Sequence, residues 1–150
     1  MAKKIPYGLT DYFRIVTEDF YYVDKTKYIE DLEKTAAFLF LIRPRRFGKS
    51  LFLNMLNCYY DVKYADRFEE LFGNQYIGKH PTAEQGKYLV LRFNFSMVRA
   101  TDDKLEAAFN RHISLETAYF ASVYASYFKP DFQEQLKLIP EAAGRLEYIC

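Results

Sequence analysis

The stretch Phe38–Tyr60, FLFLIRPRRFGKSLFLNMLNCYY, decides how the rest of the chain is read. It opens on an apolar run, FLFLI, whose length and composition predict a fully buried strand. A tight polar loop, Arg43 to Gly48, follows, and Lys49-Ser50 then begins an apolar segment of helical length. Strand, loop with Gly-Lys-Ser, and helix together make the layout of a phosphate-binding loop. The first N–H groups of a helix have no intrahelical partner, and the helix dipole adds partial positive charge there. Gly48 lets the backbone approach phosphate oxygens. Lys49 supplies a mobile charge for the β- and γ-phosphates, and Ser50 offers a hydroxyl to Mg2+.

The full motif is G-x-x-x-x-G-K-[ST], and Arg43 stands where its first Gly belongs. The same residues also suit an ordinary strand-to-helix turn with solvated basic side chains. Charge distribution argues for an anion site. From Thr35 to Tyr60 there is no Asp or Glu, while Arg43, Arg45, Arg46 and Lys49 fall within seven residues. The formal net charge of the whole chain is only +1, so the basic character is local.

Arg-Pro-Arg-Arg-Phe-Gly-Lys-Ser-Leu at 43–51, with Tyr22-Val23-Asp24-Lys25-Thr26 upstream, resembles the predicted AAA-ATPase-like family of bacterial proteins. Arg replaces the first loop Gly in that family, so Arg43 fits it. Related P-loop ATPases carry a similar Gly-Pro-Arg-Arg-x-Gly-Lys-Thr loop. The resemblance runs from about Ile5 to Phe95. It implies a P-loop α/β fold with a parallel sheet flanked by helices, and ATP with Mg2+ as ligands. Nucleotide contacts are implied for Arg45, Arg46, Phe47, Gly48, Lys49, Ser50 and Leu51, with Lys49 catalytic and Ser50 meeting the metal. Arg45 or Arg46 would support phosphate charge or a neighbouring subunit. The segment before the loop strand borders the base in such ATPases, which makes Tyr22, Asp24 and Lys25 candidate base or ribose contacts. Asp24 as a helix cap and Tyr22 as core packing are the competing assignments. Family members commonly continue into a C-terminal nuclease-like domain, which ATP hydrolysis in the complete protein would control.

Read in order, residues 1–34 form a lead-in. Thr10 or Asp11 caps a helix to about Thr17, Phe20–Val23 is β-prone, and Asp24 or Thr26 caps a helix with Tyr28, Ile29 and Leu32 on one face. Residues 35–100 are the expected core, a parallel βαβ unit. Its helix, Lys49 to Tyr60, has Leu51, Phe52, Met55, Leu56 and Tyr59 on its apolar face, and its second strand is Tyr88–Phe95. A short helix is expected near Arg67–Leu71. Asn94 and Ser96 fall at the carboxyl edge where open α/β sheets bind ligands, or in a plain turn. Residues 101–150 read as helical, starting at Thr101-Asp102-Asp103. One long helix, or two broken near Ser114, leads to Pro130, and a further helix covers Asp131–Ile139. His112 reads as a surface or satisfied core histidine.

A P-loop ATPase also needs an apolar strand ending in Asp or Glu to hold Mg2+ and orient water. No such strand occurs here, so the 150 residues read as part of a longer protein that keeps a phosphate cradle without efficient turnover. That pattern leaves a nucleotide-sensing or interaction module as an alternative to an ATPase. Contact of the Arg-rich loop with nucleic-acid phosphate is a third, disfavoured by the near-neutral charge. Cys58 and Cys150 lack metal-ligand spacing and fit a reducing cytoplasm, with Cys58 a buried helix residue. FLFLI is too short to span a bilayer, and no apolar leader follows Lys3 and Lys4, so a soluble, cytoplasmic protein is expected.

Overall fold

Asp11 shows how the described part of the chain begins its regular structure. Its carboxylate accepts from the Arg14 N–H at 3.3 Å and caps α1, Tyr12–Thr17, as its position ahead of an apolar period requires. The computed structural model describes residues 3–35, 37–99 and 104–150. It divides into two compact units, Met1–Leu89 and Val90–Cys150.

The first unit holds α1, α2 (Tyr28–Glu33), α3 (Lys49–Tyr60), a 3-10 turn at Val62–Arg67, α4 (Phe68–Phe72) and α5 (Tyr76–Lys79). α1 packs on α3 and α4. Tyr12, Ile29, Met55, Cys58, Tyr59, Leu71, Phe72 and Ile77 form its buried core. Tyr12 stacks on Phe72 with ring centroids 5.2 Å apart, and its hydroxyl donates to the Leu71 carbonyl at 2.9 Å. Burial pushes that hydroxyl's pKa far up, so it stays a donor. Of the expected α3 face, Met55 and Tyr59 are buried, and Leu51, Phe52 and Leu56 pack partly buried against the core.

The second unit holds α6 (Leu105–Val123), α7 (Phe132–Leu138) and α8 (Ala142–Ile149). α6 is one continuous helix with no break at Ser114. It packs against α7 and α8 through Ile113, Phe120, Ala121, Leu136 and Ala142. Asn110 accepts the Ala142 N–H at 2.9 Å and so fixes the start of α8 on α6. The proposed helix start at 101–103 lies outside the described residues. His112 is buried rather than at the surface, and its Nε2 has no hydrogen-bond partner among the described residues.

The parallel sheet is not formed. Among the described residues there is no strand, only two isolated parallel bridges, Lys4 with Phe20 and Asp61 with Tyr88. This overturns the α/β assignment and the βαβ unit. A strand satisfies its N–H and C=O groups only through a neighbour, whereas a helix does so internally. The run 38–42 carries no regular structure, and Phe38, Phe40 and Ile42 are 88%, 91% and 90% exposed. The expected second strand reduces to one bridge: Tyr88 donates to Tyr60 O at 2.9 Å, and Val62 donates to Tyr88 O at 3.0 Å. Phe20–Val23 likewise reduces to the bridge at Phe20 and a Tyr21 N–H bond to Lys4 O at 2.8 Å. Asn94 makes a plain turn, accepting from Ser96 N at 3.2 Å and Ser96 Oγ at 2.7 Å.

Candidate functional site

The loop retains a defined conformation without the strand. Gly48 is the N-cap of α3 at φ 75° and ψ 17°, in the left-handed region where Gly carries no steric penalty. Arg46, two residues earlier, is also left-handed at φ 67°, while Phe47 between them is not. The sign of φ therefore alternates from Arg46 to Lys49. Alternating handedness of this kind is the backbone pattern found in anion-binding concavities. No side chain caps α3, and its first internal bond runs from Phe52 N to Gly48 O at 2.9 Å. The N–H groups of Lys49, Ser50 and Leu51 precede that ladder and have no intrahelical acceptor. Among the described residues the loop thus offers several donors with no intrahelical acceptor, at the positive end of a helix dipole.

Lys49 reaches back over the loop. Its Nζ donates to Arg43 O at 2.5 Å and Pro44 O at 2.8 Å, so carbonyl oxygens hold the ammonium. Arg43, Arg45, Arg46, Phe47 and Ser50 are exposed. Two clefts flank the loop. One, of about 170 Å3, is lined by Lys25, Tyr28, Leu32, Leu41, Arg43, Phe47, Gly48, Lys49 and Phe52. The other, of about 370 Å3, takes in Tyr21, Tyr22, Val23, Arg46 and Leu51, and shares Lys25, Arg43, Phe47, Gly48 and Phe52 with the first. Among the described residues lining them, neither has a carboxylate. Arg45 and Ser50 line neither cleft.

The Tyr22–Thr26 box divides its labour. Asp24 Oδ1 accepts from Thr26 N at 2.8 Å and Thr26 Oγ1 at 2.7 Å, and Asp24 Oδ2 accepts from Tyr76 N at 2.7 Å. Thr26 is fully buried, and its Oγ1 accepts from Ile77 N at 3.1 Å. Both residues therefore fasten this segment to the start of α5. Tyr22 is partly buried against Tyr12, with ring centroids 5.1 Å apart, and still edges the larger cleft. Burial, reinforced by the charge of Asp24, raises its hydroxyl pKa. Lys25 turns the other way, toward the loop: a Cβ built on Gly48 would stand 3.8 Å from Lys25 Nζ.

Of the site residues expected from the sequence, Tyr22, Lys25, Arg46, Phe47, Gly48, Lys49 and Leu51 line one cleft or both, whereas Arg45 and Ser50 do not, and Asp24 is turned to Thr26 and Tyr76. Cleft residues outside that expected set include Tyr21, Tyr28, Leu32, Leu41, Arg43 and Phe52. Tyr28 and Leu32 had a usable signal, since their i, i+4 spacing puts them on one face of α2. Leu41 had none, having been assigned to a strand core.

The donor set suits an anion: free backbone N–H groups, a lysine on the loop and a second lysine beside Gly48. For Mg2+ the loop offers the Ser50 hydroxyl alone, so metal ligation would depend on phosphate oxygens that arrive with it. Among the described residues no group of three or more His, Cys, Asp or Glu side chains is arranged to hold a metal ion. Nor is any described helix long and apolar enough to cross a membrane.

The family model AAA-ATPase-like, described as predicted AAA-ATPase, matches residues 6–147, and the chain belongs to that family. A 55-residue stretch is 49% identical to an uncharacterized protein in the vnfD 5' region of Azotobacter chroococcum mcd 1. The aligned part is 36% of this chain and 11% of that protein. No solved structure matches the chain.

Proposed function

We propose that this chain binds ATP by its phosphates at the loop Arg43–Ser50, as the nucleotide-binding part of an ATPase. What supports the reading most is the alternation of backbone handedness from Arg46 to Lys49, which leads into an uncapped twelve-residue helix. In this reading the N–H groups of Gly48 to Leu51 receive phosphate oxygens. Lys49 exchanges the carbonyls of Arg43 and Pro44 for phosphate, a stronger acceptor because it is charged. Arg45 and Arg46 add positive field at the mouth. Phe47 and Leu51 close the apolar sides, and Tyr22 borders the base. Mg2+ brought with the nucleotide neutralises phosphate charge, and the Ser50 hydroxyl is the loop group to meet it.

Calorimetric titration of the chain with a non-hydrolysable ATP analogue and Mg2+ tests this. A charge-assisted hydrogen bond contributes about 1.5–3 kcal/mol, so Lys49→Ala should weaken binding by roughly 10- to 100-fold. Unchanged affinity in Lys49→Ala would sink the assignment.

The lack of a carboxylate among the residues lining either cleft favours a second reading: a nucleotide sensor without hydrolysis. In the longer protein of the first reading, ATP turnover drives a conformational change that controls an attached nuclease-like domain. Phosphate release by that protein separates the two readings, being sustained in the first and absent in the second.

A further inference from the structure

We propose that Lys25 is a second phosphate cation of the loop, recognising a polyphosphate rather than a base or ribose; this rests on the nucleotide-binding reading above. Lys25 Nζ lies 3.8 Å from the position a Cβ would take on Gly48, the residue that caps α3. It lines both clefts together with Arg43 and Gly48. Its neighbour Asp24 has both carboxylate oxygens committed to Thr26 and Tyr76. No described carboxylate stands within ion-pair distance of the Lys25 ammonium.

The placement gathers positive charge around one loop. Lys25, a half-buried residue, brings its ammonium beside Gly48 at the positive end of a helix dipole, in a cleft that Lys49 and Arg43 also line. The flanking residues fix it there. Asp24 and Thr26 bond Tyr76 and Ile77, about fifty positions away, so the lysine is held out from a cross-linked backbone. A polyphosphate placed on the N–H groups of α3 would answer the helix dipole, Lys49 and Lys25 together. Lysine suits that task as a compact, mobile charge. A ribose or adenine is uncharged and would answer none of these charges.

The test uses the 150-residue chain and two probes, tripolyphosphate and a non-hydrolysable ATP analogue, each titrated calorimetrically. Lys25→Met keeps the apolar stem and removes the charge; Lys25→Arg keeps the charge; Lys25→Gln repeats the neutral comparison should Met disturb folding, which a thermal melt reports. Both neutral variants should bind both probes about tenfold more weakly or worse, with most affinity retained in Lys25→Arg. Weakening confined to the ATP analogue would assign Lys25 to base or ribose and overturn the proposal. Binding that depends on Lys49 but not on Lys25 would overturn it and leave the nucleotide-binding reading standing. If the folded wild-type chain bound neither probe, both would fall.

Discussion

Two apolar segments flank the same loop and meet opposite fates. Residues 51–60 wind into most of α3, with Met55, Cys58 and Tyr59 buried. Residues 38–42 are at least as apolar, yet Phe38, Phe40 and Ile42 are almost wholly exposed. The difference lies in where the backbone finds its partners. A helix closes its hydrogen bonds four residues back and then needs only one apolar face covered, which α1 provides. A strand must borrow both its hydrogen bonds and its cover from elsewhere in the chain. Hydrophobicity alone therefore does not bury a segment. The loop between the two takes its form from the helix side, through Gly48 and the bonds of Lys49.

The contrast can be broken at three points. On the helix side, Met55→Ala should cost about 3 kcal/mol of stability, since the side chain is fully buried in the core of the first unit. A urea titration followed by circular dichroism measures this. A loss under 1 kcal/mol would show that α3 is not packed as described. At the junction, Gly48→Ala should cost about 1 kcal/mol through its left-handed backbone, since among the described residues its Cβ would meet within 4 Å only Lys25 Nζ, at ordinary contact distance. Weaker tripolyphosphate binding should accompany it. On the exposed side, Phe40→Ser should change stability by no more than about 0.5 kcal/mol. A clearly larger loss in the same titration would mean that the run 38–42 is covered in solution, and the contrast would collapse.

Much of the helical structure was legible beforehand. A cap at Thr10 or Asp11, which the structure gives to Asp11, the start of α3 at Lys49 and a short helix near Arg67–Leu71 all follow from residues within a turn or two of one another. Both expected strands failed, because β-prone composition at 38–42 and 88–95 reports a preference and not a partner. Asp24 shows the same limit at the site. Its spacing allowed a cap for α2 or a ligand contact, and gave no sign that it accepts the N–H of Tyr76, 52 positions away.

The sequence by itself determined the phosphate-loop motif, the local excess of positive charge and the period that makes 49–60 a helix, since each depends on interactions among near neighbours. Only the tertiary structure decided that Lys25 stands at Gly48, that Asp24 and Thr26 are fastened to α5, and that the apolar run before the loop lies exposed. Those outcomes depend on contacts between distant parts of the chain, where the cost of closing a long loop must be met by particular partners that no local pattern specifies.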